Sequence, residues 1–168
     1  MATTTATNTE CIRIADQLRR AFAGDAWHGS SLHELLVDVD NEQAISRPLA
    51  AGHSIWELTL HIGTWIGHAH ASMQSVPMPP FVDNMPPEQN WPLIKDSGPA
   101  AWKQTVASTL RGGEELASAI ENFGDERLGE TVPGRNYAFY NLFHGIVQHS
   151  IYHEGQIAIL KKALRTPE

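Results

Sequence analysis

His149 and His153 stand four residues apart in His149-Ser150-Ile151-Tyr152-His153-Glu154-Gly155-Gln156-Ile157, inside a stretch that reads as helix. Residues four apart on a helix share a face, with Cβ atoms roughly 5–6 Å apart. Two imidazoles so placed can aim at one point, a common way for a helix to hold a metal ion. Their face also carries Leu142, Ile146, Gln156 and Leu160, so it is expected to look inward. Two buried neutral rings without partners would each cost on the order of a few kcal/mol, and an ion that takes one nitrogen of each removes that cost. Two ligands leave a site incomplete. His61, in Trp56-Glu57-Leu58-Thr59-Leu60-His61-Ile62 and bracketed by apolar residues, is the expected third. Three imidazoles leave a position open to water or substrate, as in catalytic rather than closed structural zinc sites. Three satisfied core histidines are the competing reading of the same spacing.

The other six of the nine histidines rank below these. His68, seven residues after His61, shares its face; it is expected in solvent, with a place beside or on the metal as the alternative. His144 falls about 140° around the helix from His149 and should meet a neighbouring helix or a dimer contact. His53 reads as a helix-start residue, and His28, His33 and His70 as surface or loop positions. Ser150 follows His149, so the chain lacks the HExxH glutamate of zinc peptidases. No Glu-x-x-His occurs, which removes a ferritin-like di-iron site. Phosphate-binding glycine loops and the serine-hydrolase elbow are also missing. Cys11, the lone cysteine, excludes an internal disulfide and reads as a small apolar residue on the first helix.

The elements that must position the histidines are helices. Periodicity and punctuation predict long ones over residues 10–23, 53–75, 99–122 and 137–164. Ser31 with Glu34, and Ser54 with Glu57, match capping boxes that would start a short helix at Leu32 and the second long one. Residues 38–51 read as a polar connector, and 124–135 as a loop. Residues 76–99 hold seven of the ten prolines and are expected to form an irregular crossover, weighted by Phe81, Met85 and Trp91, lying over a site. Gly112-Gly113, inside the third helix, marks a kink or a close helix contact. Strand patterns are absent. The expectation is one all-α domain over residues 1–168, a four-helix bundle with a long Pro-rich crossover between its second and third helices.

Composition narrows the function. The 168 residues are 42% hydrophobic and 18% charged, with a formal net charge of -7. Such a chain has room for one core and shows no sign of global disorder. The 12 Lys and Arg are scattered, so no basic stripe offers itself to nucleic acid. No run of about 18 apolar residues predicts a membrane span, and the polar N-terminal lead lacks the features of a secretory signal. The expected setting is cytoplasmic.

On His61 in its helix segment and on His149-x-x-Tyr152-His153-x-Gly155-Gln156-Ile157, the chain resembles the DinB/YfiT-like four-helix metal proteins. The order of elements matches, and Ala26-Trp27-His28-Gly29 with Ser31-Leu32-x-Glu34-Leu35-Leu36 is similar to that family's N-terminal region. The resemblance implies up-down-down-up connectivity, a homodimer, and a divalent ion (zinc or nickel foremost, iron third) on His61, His149 and His153. It further implies a transferase that adds a low-molecular-weight thiol to a small electrophile. In that reading the metal lowers the thiol pKa, so that no protein cysteine is required. Glu57 is placed as an acceptor for a ligand histidine or a proton relay, Gln156 as a hydrogen-bonding partner near the site, and Tyr152 as a packing residue beside it. Two other readings stay open: a hydrolase working through metal-bound water, weakened by the missing base, and a non-enzymatic metal-stabilised binding protein. Since imidazole must be neutral to coordinate, metal affinity is expected to fall as pH drops through about 6.5.

Overall fold

The computed structural model describes residues 9–79 and 85–165. Among them are seven α-helices and no strand; the order is α1 (Thr9–Ala23), α2 (Leu32–Leu36), α3 (Asn41–Ile45), α4 (Ile55–Ser72), α5 (Pro87–Asn90), α6 (Pro99–Glu121) and α7 (Phe139–Ala163). The expected all-α class therefore holds. Phe81 and the first eight residues of the N-terminal lead lie outside the described residues.

Four helices, of 15, 18, 23 and 25 residues, carry the core. Each presents a buried stripe: in α1 it is Cys11, Ile14, Ala15, Leu18, Ala21 and Phe22. The steps of three, one, three, three and one keep these residues on one side of a 3.6-residue helix. α1 and α4 each pack chiefly against α6 and α7. Where α1 meets α6 the Phe22 ring packs onto Gly113, and a Cβ there would sit 2.3 Å from that ring. Gly112-Gly113 thus marks close packing, and α6 runs through it unbroken.

Caps set the helix starts. Ser31 with Glu34 and Ser54 with Glu57 form complete capping boxes at α2 and α4. α1 is capped from a distance, as the backbone N–H groups of Glu10 and Cys11 each donate to the Asp125 carboxylate at 2.9 Å. Asp125 belongs to a single 3-10 turn, Asp125–Arg127, in the stretch expected to be loop. Cys11 is fully buried, and desolvation with the nearby Asp125 pushes its thiol up to about 12. It is therefore a packing residue and inert as a nucleophile at neutral pH.

Two departures from the sequence expectations are local. The connector 38–51 contains α3, started by an Asp40–Gln43 capping box. Its only buried residue is Ala44, so apolar periodicity has nothing to register there. The crossover holds α5, a single turn with Pro87 at its first position, where the missing N–H costs nothing. Met85 from this crossover is buried, and Trp91 packs partly buried against the core.

Candidate metal centre

α4 and α7 bring His61, His149 and His153 together, each offering a ring nitrogen within 4.8 Å of the other two. His149 Nε2 lies 3.0 Å from His61 Nε2 and 3.1 Å from His153 Nε2. His61 and His153 are buried, and His149 is half-buried.

The far nitrogens fix the tautomers. His61 Nδ1 donates to the Asn90 carbonyl at 2.7 Å, and His153 Nδ1 donates to Gln156 Oε1 at 2.7 Å. A carbonyl oxygen only accepts, so each Nδ1 carries the proton, and in the neutral ring each Nε2 is then a bare lone pair. Both lone pairs face His149 Nε2. A proton on that nitrogen can serve one of them, which leaves the other contact lone pair against lone pair. Burial also keeps the rings neutral: it is the main cause that pulls His61 down to about 4 and His149 to about 3, with neighbouring histidines adding to it. His153 is lowered as well, again chiefly by burial, although Gln156 opposes the shift. A cation meets this donor set well, since imidazole nitrogens each about 2.0–2.1 Å from one tetrahedral ion stand ~3.3 Å apart. The group could hold a metal ion.

Asn90 is the joint between crossover and centre. Its side chain is buried and accepts from Trp65 Nε1 at 2.9 Å, while its carbonyl takes the His61 proton. Next to it, Trp91 lies between two imidazoles, stacked 4.0 Å from His61 and 3.5 Å from His53. The acceptor role expected of Glu57 therefore falls to a main-chain oxygen. The Glu57 carboxylate instead accepts from the Ser54 backbone N–H and pairs with Arg47. Gln156, expected only to hydrogen-bond near the site, accepts from the far nitrogen of His153. Tyr152 touches His153 edge-on at 5.0 Å but is mostly exposed.

The other histidines occupy distinct settings. His68 is half-buried rather than in solvent, edge-on to Trp65 and lowered by burial and by Arg135. His144 meets Glu10 of α1 at 3.5 Å. His28 is exposed in its turn, as expected, and its Nε2 lies 3.0 Å from Glu154 Oε2 of α7. Glu154 is 1% exposed, and burial pushes its carboxyl up to about 8. Glu154 Oε1 and Ser150 Oγ, one turn apart, have no hydrogen-bond partner among the described residues.

Beside the three imidazoles opens a cleft of about 700 Å³, walled by Trp65, Trp91, Leu142 and Ile146. Among models of known families, that of the DinB superfamily matches residues 25–157, a span that includes all three histidines. No curated protein and no solved structure matches the chain.

Proposed function

Since the chain belongs to the DinB superfamily, we propose that its three histidines bind a divalent ion with which it joins a low-molecular-weight thiol to a small electrophile. The observation that carries this reading is the convergence of three Nε2 atoms, two of them fixed as lone pairs, on the wall of a ligand-sized cleft. Zinc or nickel suits three imidazoles best, with iron third. When bound, the ion would lower the pKa of a coordinated thiol, so that thiolate forms at neutral pH.

The chain's own residues prepare for that chemistry. His61, His149 and His153 remain neutral at pH 7 because burial opposes their protonation. Asn90 and Gln156 hold the two Nδ1 protons and so aim the rings. The thiol must come from outside, because Cys11 is buried and protonated. In the transfer, the thiol S–H bond would break and its sulfur would bond to the electrophilic carbon. The electron pair that this carbon gives up, from a double bond or from the bond to a leaving group, would pass to the adjoining atom or depart with that group, which takes up a proton in place of the one the thiol released. A hydrolytic reading calls for a base at the cleft, and among its described lining residues there is no carboxylate.

The same reading extends to the whole molecule. We infer a single four-helix-bundle domain over residues 1–168 with up-down-down-up connectivity, supported by the packing of α1 and α4 against α6 and α7. A homodimer in a cytoplasmic setting completes it. No described helix is long and apolar enough to cross a membrane.

Elemental mass spectrometry on untagged protein, beside His61→Ala and His149→Ala, tests the centre. The expected result is near-stoichiometric zinc, nickel or iron that both variants lose. A panel of thiols and electrophiles then tests transfer. Protein that takes up none of these ions, or variants that keep them, would overturn the proposal.

A further inference from the structure

The cleft beside the histidines has a chemical character of its own. Its volume of about 700 Å³ suits a small organic molecule. Trp65, Trp91, Leu142, Ile146 and Met78 form its walls, and no Asp, Glu, Lys or Arg is among its described lining residues. Away from the proposed ion, a charged group entering it would shed water without gaining an oppositely charged side chain. The Trp65 ring and the edge of Trp91, whose faces are taken by His61 and His53, are by contrast good partners for another aromatic ring.

Gly145 adds a second, independent observation. It lies within α7, one turn before His149, and it lines the cleft. Glycine inside a helix weakens it relative to alanine. At Gly113 packing demands that choice, since the Phe22 ring occupies the space of a side chain. At Gly145 packing demands nothing, because a Cβ there would meet no atom within 4 Å. The space that a side chain at 145 would fill is the cleft itself.

We propose that the electrophilic substrate lodges an uncharged, aromatic or similarly apolar group in this cleft, and that Gly145 sets the size of group admitted. The word substrate rests on the catalytic reading above; the binding preference does not.

Fluorescence of N-phenyl-1-naphthylamine, a neutral dye that brightens in apolar surroundings, provides the test. Binding is followed near pH 7.5 on metal-free protein, so that a carboxylate competitor has no ion to ligate. Saturable binding is expected, with 2-naphthol displacing the dye at a concentration at least about tenfold below that of 2-naphthoate. Gly145→Leu should weaken dye binding about tenfold or more, and Gly145→Ala by a smaller factor, with thermal melts showing both variants folded. Naphthoate competing as well as naphthol would overturn the substrate class. Dye binding unchanged in both variants would overturn the role of Gly145. Metal content measured on reloaded portions of the same samples separates the two readings. Protein that holds metal but refuses the dye sinks this inference alone. Protein that binds naphthol but no metal sinks the catalytic centre and leaves the preference of the cleft standing.

Discussion

Replacing Glu154 with glutamine should stabilise the protein, and by an amount that grows with pH. Glu154 is 1% exposed, its Oε1 has no partner among the described residues, and burial raises its pKa from the ordinary 4.5 to about 8. The folded chain therefore holds the carboxyl protonated at pH 7, donating to His28 Nε2 across 3.0 Å. An unfolded chain would ionise it. For a group whose pKa is raised on folding, the contribution to stability is whole below the unfolded value and is lost as pH climbs to the folded one. Each pH unit in that window is worth about 1.4 kcal/mol. Between pH 4.5 and pH 7 the wild type should thus lose roughly 3 kcal/mol that Glu154→Gln keeps. A glutamine amide can donate to His28 as the protonated acid does, so the variant preserves the contact while removing the titration. Urea denaturation of metal-free protein, wild type against variant, at half-unit steps from pH 4.5 to 8 measures the difference, and groups common to both cancel. A difference that stays constant within about 0.5 kcal/mol across the series would refute the reasoning, because it would mean that burial does not hold the Glu154 carboxyl protonated.

Other outcomes follow from contacts already described. Gly113→Ala places a methyl 2.3 Å from the Phe22 ring and should cost about 1–3 kcal/mol in chemical denaturation; an unchanged midpoint would contradict the close α1–α6 approach. Gln156→Leu removes the acceptor of the His153 Nδ1 proton and should weaken metal binding by roughly tenfold or more, as read by chelator competition, with the helical circular dichroism unchanged. Neutral imidazole is the form that binds metal, and burial extends neutrality downward, to about 4 in His61 and about 3 in His149. His153 is lowered too, so metal uptake should persist as pH falls through the ordinary imidazole value of 6.5 and be lost only in more acid solution. A titration that already fails near pH 6.5 would show that the rings are solvated.

The three histidines were legible because helical spacing and apolar neighbours act over a single turn, where sequence order and spatial order coincide. The same holds for the Ser31–Glu34 and Ser54–Glu57 caps. Glu57 shows the limit of that logic. It stands one turn from His61, which suits an acceptor for the imidazole, yet it also stands at the third position of the helix, and the cap claims its carboxylate. The group that does accept the His61 proton is a main-chain oxygen at Asn90. Every residue has one, so no residue type could announce it, and its position depends on the path of an irregular crossover. His28 and Glu154 escaped for a related reason: they are 126 residues apart, and only the packing of the turn before α2 onto α7 joins them.

The bond from His61 to the Asn90 carbonyl ties the crossover to the metal-binding nitrogen, and this tie makes the two equilibria reciprocal. If an ion favours the ring orientation that the seated crossover imposes, it must favour the seated crossover by the same factor. Whatever lifts the 85–98 stretch from the helices would therefore loosen the ion in proportion, and whatever presses it down would tighten it. Because Asn90 contributes a main-chain atom to the ring and a side-chain atom to Trp65, a substitution there would detach the second hold while leaving the first chemically intact. Metal affinity would then report how firmly the loop is seated rather than which side chain it carries.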